Sequence, residues 1–203
     1  MSIVSIWISS MNIDIIPRGM QLKLSLDVGQ PQRPKISDVV SQERYVDALI
    51  PRVLGWLREC GEFVDDTPGE YYLQQLREEL LDSVDYYNDG YEIAKNLERR
   101  HYWSVDASLV ELLDDSRALR VVTFNSLIKE WVFSNGILPQ YSVGQSVRFV
   151  TMRNIEHVGE ITRINVDQAQ YVIYCAELGH VRPPKMGSSG IYIDYECVID
   201  EAR

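Results

Sequence analysis

The sequence predicts an α+β fold: an N-terminal strand pair, an acidic helical domain and a small C-terminal β-barrel. Three observations predict it. Residues 141–199 hold short alternating apolar segments separated by turn residues. The middle of the chain holds apolar residues at helical spacing. Residues 21–28 alternate strictly, with Leu22, Leu24 and Leu26 on one face and Lys23, Ser25 and Asp27 on the other. A period of two is that of a half-buried strand, and a period near 3.6 that of an amphipathic helix. The chain has 203 residues, 45% of them apolar, enough for one large domain or two small ones. The expected boundaries are 1–35, 36–140 and 141–203.

Ile3 to Ile8 is rich in Ile, Val and Trp and reads as a strand. Pro17-Arg18-Gly19 separates it by a turn from the strand at Gln21–Val28, so the two suit a hairpin. Asn12, Asp14 and Pro17 interrupt the apolar start, and no basic segment precedes it, so no signal peptide is expected. Met11 is an alternative start. Gly29 to Pro34 carries two prolines and reads as a linker.

Ser37 is the expected N-cap of the first helix, with Asp38 in its first turn. Val39, Val40, Tyr45, Val46, Leu49, Ile50, Val53, Leu54 and Leu57 recur at helical spacing behind it. Pro51 either starts a second helix there or kinks the first. Thr67, Pro68 and Glu70 have the spacing of a capping box for the next helix. Its stripe is Tyr72, Leu73, Leu76, Leu80, Val84 and Tyr87, ending at Asn88-Asp89-Gly90. A third helix is expected from about Tyr91 to His101, with Ile93, Ala94 and Leu97 inward. Ser104 or Asp106 caps a fourth, holding Leu109, Leu112 and Leu113. The last runs from Leu119 to Phe133, with Asn135-Gly136 as its stop and Pro139 beyond. Strands are then expected around Val147–Phe149, Gly159–Ile164, Tyr171–Ile173 and Ile191–Tyr195, with a long loop from Gly179 to Gly190.

The net charge is −10, and residues 36–140, with 20 acidic and 10 basic side chains, account for all of it. Such a surface repels phosphate backbones, so direct nucleic-acid binding by the helical domain is not expected. It suits a protein partner with a basic surface. No apolar run approaches the roughly 18 to 20 residues of a membrane span. The three cysteines, Cys60, Cys175 and Cys197, have no zinc-site spacing and read as small buried thiols of a cytoplasmic protein. Cys175 and Cys197 can fall on neighbouring strands. The three histidines, His101, His157 and His180, are scattered, and no nucleophile context or phosphate-cradling glycine loop is present. Trp56, Trp103 and Trp131 are read as core residues.

Val147–Phe149 followed by Val158-Gly159-Glu160-Ile161-Thr162-Arg163-Ile164 resembles the core of SH3-like small barrels of the KOW and Tudor kind, over about 141–199. Gly159 matches the residue at which such barrels bend a strand. The resemblance implies a recognition module. Tyr171, Tyr174, Tyr192 and Tyr195 are the aromatics available for a Tudor-like cage, with Tyr171 and Tyr195 read first as core. The expected partner-binding residues are His180, Arg182 and Lys185 of the long loop with Tyr174 and Tyr192.

A second pattern lies in the helices. Glu59 and Glu62 are three apart, as are Glu79 and Asp82, so each pair shares a helix face. Over about 57–99 this resembles the all-α nucleoside triphosphate pyrophosphohydrolases of the MazG type. The resemblance implies a magnesium ion on Glu59, Glu62, Glu79 and Asp82, with Lys95 and Arg99 on the phosphates. The leading expectation is a non-enzymatic, cofactor-free adaptor or inhibitor, of an immunity or anti-defence kind, acting on a basic or nucleic-acid-handling partner. The magnesium-dependent pyrophosphohydrolase is the alternative.

Overall fold

The structure is a computed structural model that describes residues 31–61, 68–179 and 190–202. The expected N-terminal strands, the Thr67 cap, Glu62, and His180, Arg182 and Lys185 lie outside the described residues. Residues 32–203 form one compact unit. Among the described residues, the helices come first and the strands follow. None of those helices is long and apolar enough to cross a membrane.

Helix α1 (Val39–Glu59) buries Tyr45, Val46, Leu49, Val53, Trp56 and Leu57 along one side. Its N-cap is Asp38, one residue later than expected. The Asp38 carboxylate accepts from the Lys35 amide at 2.7 Å, and the Ser41 hydroxyl donates to the Lys35 carbonyl at 2.7 Å. These bonds set the turn ahead of the helix. Val39 and Val40 are therefore exposed rather than part of the buried stripe. Pro51 lies inside one continuous helix. It faces solvent, as does Asp47 one turn earlier, so water can satisfy the carbonyl that proline leaves without a donor.

Helix α2 (Glu70–Ser83) starts from Gly69 and buries Leu76 and Leu80 against α1. It ends earlier than expected: Val84 is its C-cap, and Tyr87 stands exposed beyond it. Gly90 is the first residue of α3 (Gly90–His101) rather than a stop, because the Asp89 carboxylate accepts from the Glu92 amide. A Cβ on Gly90 would stand 2.6 Å from the Asp114 nitrogen, so glycine is what lets α3 meet α4 (Ala107–Asp115) this closely. Asp106 caps α4, accepting from the Leu109 amide at 3.0 Å. Helix α5 (Arg117–Ser134) ends at Asn135, as the sequence predicts.

The strands are β1 (Ser146–Val150), β2 (Glu156–Asn165), β3 (Gln170–Tyr174), β4 (Ile191–Asp194) and β5 (Val198–Glu201). They form one antiparallel sheet in the order β4-β3-β2-β1-β5. A 3-10 turn, Tyr195–Cys197, separates β4 from β5 and lets the last strand return beside the first. This is the order of an SH3-like small barrel. Its interior holds Val147, Phe149, Ile161, Tyr171, Ile173 and Ile193. Gly159 is not in the left-handed region. Its role is close approach: a Cβ there would stand 2.5 Å from the Tyr174 carbonyl oxygen and nearer still to Ile173. The register shift between β2 and β3 falls between Ile161 and Arg163 instead.

Helices and barrel share a small core of Ile128, Val132 and Ala169. Arg33, expected in a linker, is mostly buried beside it. Its guanidinium donates to the Gln168 carbonyl at 2.7 Å, pairs with Asp194 at 2.9 Å and lies over the Trp131 ring. The Tyr171 hydroxyl accepts from the amides of Gln140 and Tyr141 at 2.8 and 3.0 Å, which fixes the segment joining α5 to β1.

Gly159→Ala forces β2 and β3 apart. Urea denaturation is expected to report a loss of about 1–3 kcal/mol, the usual cost of overpacking.

Candidate functional site: an aromatic cleft with one carboxylate

The C-terminal end of α1 places the buried Trp56 and Leu57 in the lining of a cleft of about 370 Å3. Tyr72, Gln75, Leu76 and Glu79 of α2 form one wall, and His101, Tyr102, Trp103 and Ser104, at and just beyond the end of α3, form the other. Helical spacing explains the α2 wall, because residues 72, 75, 76 and 79 lie on one face. A turn explains the other wall. Tyr102, at φ 60°, takes the left-handed conformation that side chains as bulky as tyrosine rarely adopt, and it swings the chain back over α2.

Hydrogen bonds hold both indoles. Trp103 Nε1 donates to Glu79 Oε2 at 2.6 Å, and Gln75 Nε2 donates to Glu79 Oε1 at 2.8 Å. Trp56 Nε1 donates to Ser108 Oγ at 2.7 Å, and Ser108 Oγ donates to the N-cap carboxylate of Asp106 at 2.7 Å. The same two bonds on Asp106, from Ser108 and from the Leu109 amide, hold its carboxyl below the usual range. The half-buried Glu79 carboxylate keeps lone pairs beyond its two donors. A negative group beside several aromatic faces attracts a cation that carries an apolar stem.

Asp82, one turn on from Glu79, is engaged elsewhere. Arg100 Nη1 lies 3.3 Å and His101 Nε2 3.1 Å from its Oδ2. The hydrogen bond from Arg100, with His101 in support, holds the Asp82 carboxyl below the usual carboxylate range. Glu59 is exposed in the last turn of α1. Lys95 lies over the Tyr91 ring, and Arg99 is exposed on α3. Among the described residues, Glu59, Glu79 and Asp82 do not gather into a group that could hold an ion. The one such group is His157, Cys175 and Glu177, on the barrel.

Of the partner-binding residues expected on the barrel, Tyr174 is half-buried at the end of β3. Tyr192 is exposed, accepts from Arg163 Nη2 at 2.6 Å and has that guanidinium over its ring. Tyr171 is buried in the barrel core, and the partly buried Tyr195 packs on it at 4.4 Å. Burial pushes the Tyr195 hydroxyl up to about 12. Cys60 is exposed rather than buried, whereas Cys175 is buried and Cys197 partly so.

Compared with protein-family models, curated proteins and solved structures, the chain matches none.

Asp82 supplies a pH test. A carboxyl depressed in the folded state stabilises it above the unfolded pKa, and that contribution vanishes as pH falls through the folded value. Asp82→Asn is expected to cost under about 1 kcal/mol at neutral pH, since the group is exposed. Thermal melts should show the difference from wild type closing below about pH 4.

Proposed function

We propose that the chain is a non-enzymatic binding protein, an adaptor or inhibitor, whose acidic helical domain takes a protein partner with a basic surface. The observation that carries this reading is the cleft: Trp56, Tyr72 and Trp103 around the Glu79 carboxylate suit a lysine or arginine side chain from that partner. The aromatic faces take the alkyl stem and the charge, and Glu79 completes the pairing. The excess of acids over bases in residues 36–140 steers a basic surface toward it. Exposed tyrosines add to the picture: Tyr71, Tyr87, Tyr91 and Tyr102 give the domain the amphipathic surface common in protein interfaces. A basic surface is typical of proteins that handle nucleic acid, which makes that class the first to try as partner. The magnesium reading needs converging carboxylates. The engagement of Asp82 by Arg100 and His101, and of Glu79 by Trp103 and Gln75, favours binding over hydrolysis.

Calorimetric titration with a lysine- and arginine-rich peptide tests this. Binding is expected to weaken with salt, and Glu79→Gln should lower affinity at least tenfold, about 1.4 kcal/mol. Glu111→Gln removes one exposed charge from α4 and should change affinity little. Equal losses in the two variants would mean diffuse electrostatics without a site. An unaltered affinity in Glu79→Gln would overturn the reading.

A further inference from the structure

We propose that His157, Cys175 and Glu177 form a binding site for a thiophilic divalent metal ion of the zinc class, with water as the fourth ligand. One donor atom from each lies within 4.8 Å of the others. The sheet register brings them together. Glu160 pairs with Tyr174 and Ile161 with Ile173, which sets the start of β2, with His157, beside the end of β3, where Cys175 and the turn that holds Glu177 follow. His157 shares the inward face of β2 with Gly159 and Ile161, and Cys175 shares that of β3 with Tyr171 and Ile173. The close approach at Gly159 draws the two strands together beside the site.

The geometry is near that of a tetrahedral ion. Zinc bonds of about 2.0 Å to nitrogen and oxygen and about 2.3 Å to sulfur set ligand-to-ligand edges of about 3.3 to 3.6 Å. His157 Nδ1 already lies 3.0 Å from Glu177 Oε2. Glu177 is an exposed side chain in the 3-10 turn Ala176–Leu178 and can shift to complete the coordination. Cys175 is buried and His157 mostly so, with the imidazole held against the Phe149 ring. This gives two anchored donors and one adjustable one.

Charge and donor type agree. A thiolate and a carboxylate together carry two negative charges, which a divalent ion cancels in a partly buried place. The thiol proton leaves to solvent as the ion binds. Sulfur and imidazole donors select zinc-class ions over magnesium and calcium, which take oxygen.

Titration of the untagged, chelator-treated protein with Co2+ and Zn2+ tests the assignment. One equivalent of Co2+ should produce a thiolate-to-cobalt charge-transfer band, which Zn2+ then abolishes by displacement. Zn2+ should raise Tm and Mg2+ should not. Cys175→Ser should lose the band and Cys60→Ser should keep it. Cys175 is buried, so Glu177→Gln is the variant that preserves folding. It should weaken Zn2+ binding at least tenfold with an unchanged far-ultraviolet spectrum. The proposal is overturned if no band forms, if the band depends on Cys60 or Cys197, or if Glu177→Gln binds Zn2+ as tightly as wild type.

Discussion

The buried side of α1 is the constraint on which the helical domain depends. Val46, Leu49 and Val53 are wholly removed from solvent, and α2, α4 and α5 are placed by what they cover on that helix. Each such aliphatic side chain contributes roughly 1.5–3 kcal/mol by leaving water. Polar contacts then select among packings. Arg77 of α2 reaches Asp47 of α1 at 2.6 Å, and Arg44 of α1 takes Glu130 of α5 in a two-bond pair. Arg120 lies over the Tyr45 ring at 4.7 Å and donates to the Tyr86 carbonyl, which ties α5 to the segment after α2. Trp56 and Leu57 end the buried stripe of α1 and also line the cleft, which opens there.

The barrel is fastened to the helices at several points. Lys129 pairs with Asp167 at 2.7 Å, and Gln168 donates to the Asn125 carbonyl at 3.0 Å, both along α5. Ala169 fills the apolar seam between them. Arg33 closes the arrangement from the N-terminal side through Asp194, the Gln168 carbonyl and Trp131.

Local signals in the sequence read well wherever one residue decides the outcome. The helical period, the Asp106 cap, the stop at Asn135 and the alternation of β1 and of the first half of β2 are of that kind. Pro51 leaves one helix or two open because its effect depends on which way it faces, and Gly90 misleads because its neighbour on α4 is absent from its sequence context. Strand β5 is short and two of its four residues are acidic, so no period marks it. The cleft was illegible for a related reason. Trp56 and Trp103 belong to different elements, and a tryptophan at helical spacing looks the same whether it lines a core or a cleft. The meeting of His157 with Cys175 waited on the packing of β2 against β3, which no spacing motif encodes.

The most direct test of the cleft watches its indole protons. In a 1H–15N spectrum of the protein, the Nε1–H signals of Trp56 and Trp103 report the two hydrogen bonds that hold the site, and Trp131 serves as an internal reference away from it. On titration with capped lysine or arginine amides, the Trp56 and Trp103 signals should move in saturable fashion and Trp131 should stay. Capped glutamate should move none of them. Still signals for Trp56 and Trp103, or equal movement of all three indoles, would contradict a cation site in this cleft.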